Sequence, residues 1–407
     1  MMSQGFVPAM LTVALAACGS SPTQATDPTD APRTGADASA TDLAANDVSI
    51  LFPLPASSAQ RRNVLWLVPK AGEQGPGFDP ALIESLPNLN ADLPSSLGYP
   101  SAMVTSLRFD PCFPRLDATP CQAQLRLVVQ PVLTGAASVQ LLDDAAAHLF
   151  YQLTPADSAN VVEALRTIKQ LSTVSTAGAL RVHPGLAAQP DGAAAQAVRN
   201  VVVTHCRTDN LIRISTNSFA MDNWGFSKFD MVAGTLQKQP LLHMQKPNTD
   251  QAWLRQAQRD SLDDPSGSIS PPPSRSFGYL LALANYRNGM PVDSVQAQTA
   301  ADILLAIENP TLKSTEDVDC VSCHLATQTR RFAARNGVSF NRPSQYLDDS
   351  GAVPAVEFAP QLNGNLGSTI AFGWHTNSSG GANPVSLPSI SQRTANESAA
   401  VVAYLQR

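Results

Sequence analysis

The chain has 407 residues, of which 43% are apolar and 15% charged, with a net charge of -6, 32 prolines and 23 glycines. That length exceeds one ordinary core and predicts two domains with further segments at the ends, and the proline content favours turns over long helices. No block of Lys and Arg is long enough to track phosphates, which excludes nucleic acid as a partner.

In chain order, Phe6 to Ala17 form a short apolar stretch that ends at Leu15, Ala16, Ala17, Cys18 and Gly19. It falls short of the ~20 residues a helix needs to span a bilayer. The ending resembles the lipobox of bacterial lipoproteins. The resemblance implies a signal peptide over 1–17, an acylated Cys18 as the first mature residue, and the membrane as a partner through that lipid anchor. Gly19 and Ser20 after the cysteine imply the outer membrane, facing the periplasm or the cell surface. Residues 18–45 are mostly Ser, Thr, Pro, Ala and Asp, too poor in large apolar side chains to order themselves, and predict a disordered tether.

Residues 46–245 predict a β-rich domain. Val48 to Phe52, Val64 to Val68, Ala123 to Val132, Val198 to Thr204 and Leu211 to Ser215 are apolar or alternating runs between turn signals. One helix interrupts them. Thr154 is a cap, Pro155 suits the first helical position, and Val161, Val162, Leu165 and Ile168 recur at helical spacing. Phe219, Trp224, Phe226 and Phe229 read as core aromatics of a hairpin. Cys112 and Cys121, bracketed by Pro111, Pro114 and Pro120, predict a disulfide in an oxidising compartment. Cys206, beside His205 and after three valines, reads as a buried strand cysteine.

Residues 246–276, with Asp263, Asp264, Pro265 and the triplet Pro271 to Pro273, predict a linker. Over 277–407 the apolar period becomes helical, in Phe277 to Tyr286 and Val295 to Ile307, and Thr394 to Glu397 has the pattern of a capping box opening a last helix. The expected fold class is multidomain α+β, a β-rich domain followed by a mainly helical one.

Within the second part stands Cys320, Val321, Ser322, Cys323 and His324. Thiols at i and i+3 share one face of a helical turn, so both can add to the vinyl groups on one edge of a haem, with the next histidine beneath the iron. A zinc site or a simple disulfide is the competing reading. This motif and the terminal helix from Asn396 to Leu405 resemble the first and last helices of a monohaem cytochrome c domain over about 310–407. The resemblance implies haem c as cofactor, Cys320 and Cys323 as thioether residues and His324 as proximal ligand. The family commonly supplies a downstream Met as sixth ligand, but the last methionine here is Met290, upstream of the motif. His375, flanked by Gly373 and Trp374, is the expected distal ligand, with His243 and Met244 as weaker candidates. The implied function is electron transfer in the bacterial envelope with an unknown redox partner protein. A peroxidase-like haem enzyme with an open distal side, and a haem-free surface lipoprotein, stand as alternatives.

Overall fold

Period-two alternation in long strands sends successive side chains to opposite sides of a sheet, and here the two sides have different tasks. The computed structural model describes residues 42–56, 60, 63–89, 94–134, 139–141, 145–220, 223–241, 251–254, 294–335, 339–340, 370–377 and 385–407. Strands β1 (Ser49–Leu51), β2 (Ala102–Phe113), β3 (Gln122–Thr134), β5 (Ala146–Gln152), β6 (Leu211–Ala220), β7 (Asn223–Val232) and β8 (Thr235–Gln239) follow one another across the sheet in that order. Two short strands extend it, β4 (Val139–Leu141) beside β3 and β9 (Gln251–Leu254) beside β7, and every pairing is antiparallel.

One face carries the aliphatic core. Leu107, Leu127, Leu149 and Ile214 lie in a cross-strand row, and Phe109, Leu125 and Tyr151 continue the same side. Against them pack helices from the long β5–β6 connection, α2 (Pro155–Leu171), α3 (Pro184–Ala188) and α4 (Ala193–His205). Helix α2 begins where its sequence directs, with Thr154 Oγ1 accepting from Asp157 N and Pro155 in the first turn. Its Val161, Leu165 and Ile168 are fully buried with Val198, Val201 and Val202 of α4. Each such side chain contributes about 1.5–3 kcal/mol through burial. The run Val198 to Thr204, expected as a strand, is therefore helical, with Val198, Val201 and Val202 turned inward and Val203 exposed; packing against α2 overrides the β-propensity of three valines. Cys206 caps the end of that helix and is buried there.

The opposite face meets the C-terminal elements: α5 (Ser294–Glu308), α6 (Cys320–Arg335), the hairpin β10 (Phe372–Asn377) with β11 (Val385–Ile390), and α7 (Gln392–Leu405). These do not form the expected mainly helical cytochrome c-like domain. They contribute a hairpin as well as three helices, and several of their polar groups bond to the sheet. Gln130 both donates to Trp374 O and accepts from Trp374 N at 2.8 Å, Ser106 Oγ donates to Phe372 O at 3.1 Å, and Ser398 Oγ lies 2.7 Å from Ser49 Oγ next to α1 (Ala45–Val48). The first seven residues of α7, Gln392 to Ser398, are all buried although six are polar. Gln392, Thr394 and Asn396 bond within the C-terminal elements, to Thr327, Ala371 and Glu308. Glu397 reaches Arg108 of the sheet, Arg393 donates to the carbonyls of Ile307 and Lys313, and contacts join the described residues into one compact unit, Ala40–Arg407. The fold class is thus a predominantly antiparallel sheet with helices on both faces.

Of the other expected segments, the signal peptide and nearly all of the tether lie outside the described residues, as does the linker apart from Gln251–Leu254, which is β9. Helix α7 starts two residues before the anticipated capping box, with Ser391 Oγ accepting from Thr394 N. Among the described residues no helix is long and apolar enough to cross a membrane.

The tie between α7 and the sheet is ionic. Arg108 of β2 pairs with Glu397, which also meets Arg393 at 2.8 Å, while Asp110 bonds Arg108 at 2.8 Å and Arg126 at 3.0 Å. Burial pushes the Glu397 carboxyl up, but Arg108, Arg393 and Arg126 together outweigh it and hold the group at about 2 instead of 4.5. A carboxyl depressed on folding gives stability that is complete above its unfolded value and disappears as pH falls through its folded one. We expect Glu397→Ala to lower unfolding free energy by about 3–5 kcal/mol, the cost of leaving buried guanidinium groups without their carboxylate. Urea titrations monitored by circular dichroism should also show wild-type stability falling more steeply than the variant's between pH ~4.5 and ~2. Equal slopes would show that Glu397 is not the group titrating there.

Candidate functional site

Helix α6 opens on the cysteine motif. Asp319 Oδ1 accepts from Ser322 N at 2.9 Å and its carbonyl accepts from Cys323 N at 3.0 Å, a side-chain cap that fixes the first turn. Cys320, Cys323 and His324, at i, i+3 and i+4, therefore share one face and line a common cleft. Both thiols are free. Burial raises both, Cys320 to about 12, so each is held as a thiol at neutral pH.

The far wall of the cleft is the second face of the sheet. Two adjacent cross-strand rows supply it: Arg108, Arg126, Phe150 and Arg213, then Val128, His148, Ser215 and Lys228. Phe113, Leu241, Val318 and Phe372 add apolar surface, and the cleft holds about 1040 Å³ of space free of atoms, part of it open to solvent. His324 packs at the centre. Its ring centroid lies 5.1 Å from that of Phe226 and 5.8 Å from that of His148, with ring planes tilted by 60° and 57°. Burial, the His324 imidazole and the Arg126 and Arg108 guanidinium groups all push His148 well below the usual histidine range, which keeps it neutral.

Charge in this cleft is lopsided. Five cations line it, Arg108, Arg126, Arg213, Lys228 and Arg393, against the carboxylates Glu316 and Glu397. Glu316, from the loop before α6, bonds Arg213 at 2.5 Å and Lys228 at 3.3 Å, and Asp230 also bonds Arg213 at 2.6 Å. The inner group has less compensation. Arg126 stacks over Phe150 at 4.8 Å, and the Nε atoms of Arg126 and Arg108 are buried donors without an acceptor among the described residues. Burial, with repulsion from Arg108 and Arg393, lowers the Arg126 pKa. A flat, largely apolar ligand bearing carboxylates and a metal centre matches this set: apolar walls, two thiols, two imidazoles and unsatisfied guanidinium donors.

The sequence-derived residues divide clearly. Cys320, Cys323 and His324 come together in the cleft. His375 does not join them: it is buried on β10 opposite Leu387, while its neighbours Ala371 and Phe372 line the cleft and it does not. Cys112 and Cys121 are disulfide-bonded at a Cα–Cα separation of 4.9 Å. Cys18, His243 and Met244 lie outside the described residues. Sequence reasoning passed over His148, Arg108 and Arg126. The available signal was alternation in Ala146 to Gln152, which puts His148 and Phe150 on the side opposite Leu149 and Tyr151. Among the described residues no three or more His, Cys, Asp or Glu side chains gather as a bare metal ion would require. Comparison with protein-family models, with curated proteins and with solved structures finds no match.

The disulfide closes the β2–β3 hairpin next to Phe113, at one end of the cleft. Its nine-residue separation is short, and by chain entropy it contributes about 2–3 kcal/mol. The double substitution Cys112→Ser with Cys121→Ser should lower stability by that amount in guanidinium titrations. Reducing the wild type should have the same effect, and no change in either case would show that the bond is energetically idle.

Proposed function

We propose that this chain carries one covalently attached haem c and transfers electrons in the bacterial envelope, where a lipid on Cys18 tethers it. The observation that supports this most directly is the shared orientation of Cys320, Cys323 and His324 from one helical turn into an apolar-walled, cationic cleft. The reading rests on this site and not on a cytochrome c fold.

When bound, the haem supplies one-electron chemistry at its iron. The protein's own groups have distinct tasks. Cys320 and Cys323 would form thioethers to one edge of the macrocycle, and His324, held by the Asp319-capped turn and by Phe226, would ligate the iron. Arg126 and Arg108 would donate their unused Nε–H groups to carboxylates of the group, removing two buried unsatisfied donors. The surplus of cations lining the cleft would favour the reduced, less positive metal and so raise the potential relative to a neutral cleft. Phe113, Phe150 and Phe372 would give the macrocycle apolar contact.

The test is expression of the full chain with a haem-maturation apparatus, followed by mass spectrometry of the peptide containing residues 320–324. We expect a porphyrin adduct there, a Soret band that shifts reversibly on reduction, and loss of both in Cys320→Ser with Cys323→Ser. An unmodified peptide from exported protein overturns the haem assignment. Cys18→Ala should move the protein from the membrane to the soluble fraction without loss of the Soret band; unchanged membrane association would rule out the lipid anchor.

A further inference from the structure

We infer that His148 of β5 is the second axial ligand of the iron, opposite His324; this rests on the haem reading above. His148 occupies the cross-strand row between Val128 and Ser215, on the face that also presents Arg126 and Phe150 to the cleft. Its ring centroid is 5.8 Å from that of His324. Two imidazoles that each bring a nitrogen to about 2 Å from one metal have centroids roughly 6 Å apart, so the observed spacing admits a metal with a shift of a few tenths of an ångström.

Among the described residues, the other histidines stand elsewhere. His183 caps α3 through Nδ1 on the aliphatic side of the sheet, His205 lies 3.5 Å from Asp157 at the end of α4, and His375 is in the hairpin outside the cleft lining. His148 and His324 are thus the two imidazoles that line this cleft among the described residues. Ligation from both would clamp β5 to α6 across the metal. The iron would then be six-coordinate and closed, suited to electron transfer and not to peroxide or oxygen chemistry.

The experiment compares the full-length, haem-loaded wild type with His148→Ala, His148→Met and His375→Ala by absorption spectroscopy and carbon monoxide binding, with haem content measured by mass on every sample. We expect a low-spin six-coordinate wild type that resists carbon monoxide. His148→Ala should become high-spin, bind carbon monoxide readily and recover the low-spin spectrum when imidazole is added, while His375→Ala should match the wild type. Should His148→Ala not accumulate, His148→Met decides, keeping six-coordination with a raised potential if the position is a ligand and the wild-type spectrum and potential if it is not. A haem-containing His148→Ala that stays low-spin, a high-spin wild type, or a His375→Ala that turns high-spin overturns the ligand assignment and leaves the haem standing. Wild type without an adduct removes the haem reading itself.

Discussion

The ion cluster formed by Arg108, Asp110, Arg126, Arg393 and Glu397 is the constraint on which the remainder depends. Its members come from two adjacent strands and from the last helix, and Arg108 and Glu397 are 289 positions apart. Until α7 docks, Arg108 and Arg126 stand on a half-formed sheet face, and Glu397 has no reason to leave water. Once it docks, α7 fixes α6 through Thr327 Oγ1, which accepts from Gln392 N at 2.9 Å, and fixes α5 through Asn396, which donates to Glu308 O at 2.9 Å. Glu308 in turn bonds Arg330 of α6 at 2.6 Å. The turn that bears Cys320, Cys323 and His324 is therefore positioned by charges far away in sequence.

That dependence divides the sheet into two economies. On one face, aliphatic rows packed against α2 and α4 supply non-directional stabilisation, which tolerates exchange of one apolar side chain for another of similar volume. On the other, almost every row contains a charged, aromatic or imidazole side chain whose direction matters, and a shift of register by one residue would send it into the aliphatic core. The registers Arg108 with Arg126 and Val128 with His148 are what make a cleft of defined chemistry out of strands that are otherwise ordinary.

How far the sequence disclosed this follows from the range of each interaction. The cysteine motif was legible because its geometry is confined to five residues, and helix α2 because its cap and apolar spacing are local. The β-rich character of the first half was legible from alternation, yet the helix over Ala193–His205 was not, since three valines in a row look like a strand until a partner helix is present. The C-terminal part misled for a complementary reason. Helical spacing in Val295 to Ile307 and in α7 says that helices form but not what they pack against, and the polar residues Gln392 to Ser398 look solvent-facing when they are buried. His148 was invisible as a site residue because its relation to His324 spans 176 positions and passes through a strand register.

The composition of the cluster also bears on why it is ionic at all. Three guanidinium groups face two carboxylates, and among the described residues the Nε–H of each is buried without a hydrogen-bond acceptor, that of Arg393 standing in an ion pair 2.8 Å from Glu397. If the cluster served only to fasten α7, well-packed apolar side chains of similar volume would do so as well or better, because paired burial of charges recovers its desolvation cost only with complete hydrogen bonding. The incomplete bonding therefore counts against a purely structural role. A surplus positive charge, lining the same cleft as two thiols and two imidazoles, suits an anionic group, and under the haem reading proposed above Arg126 and Arg108, on the sheet side of the cleft, would meet its carboxylates.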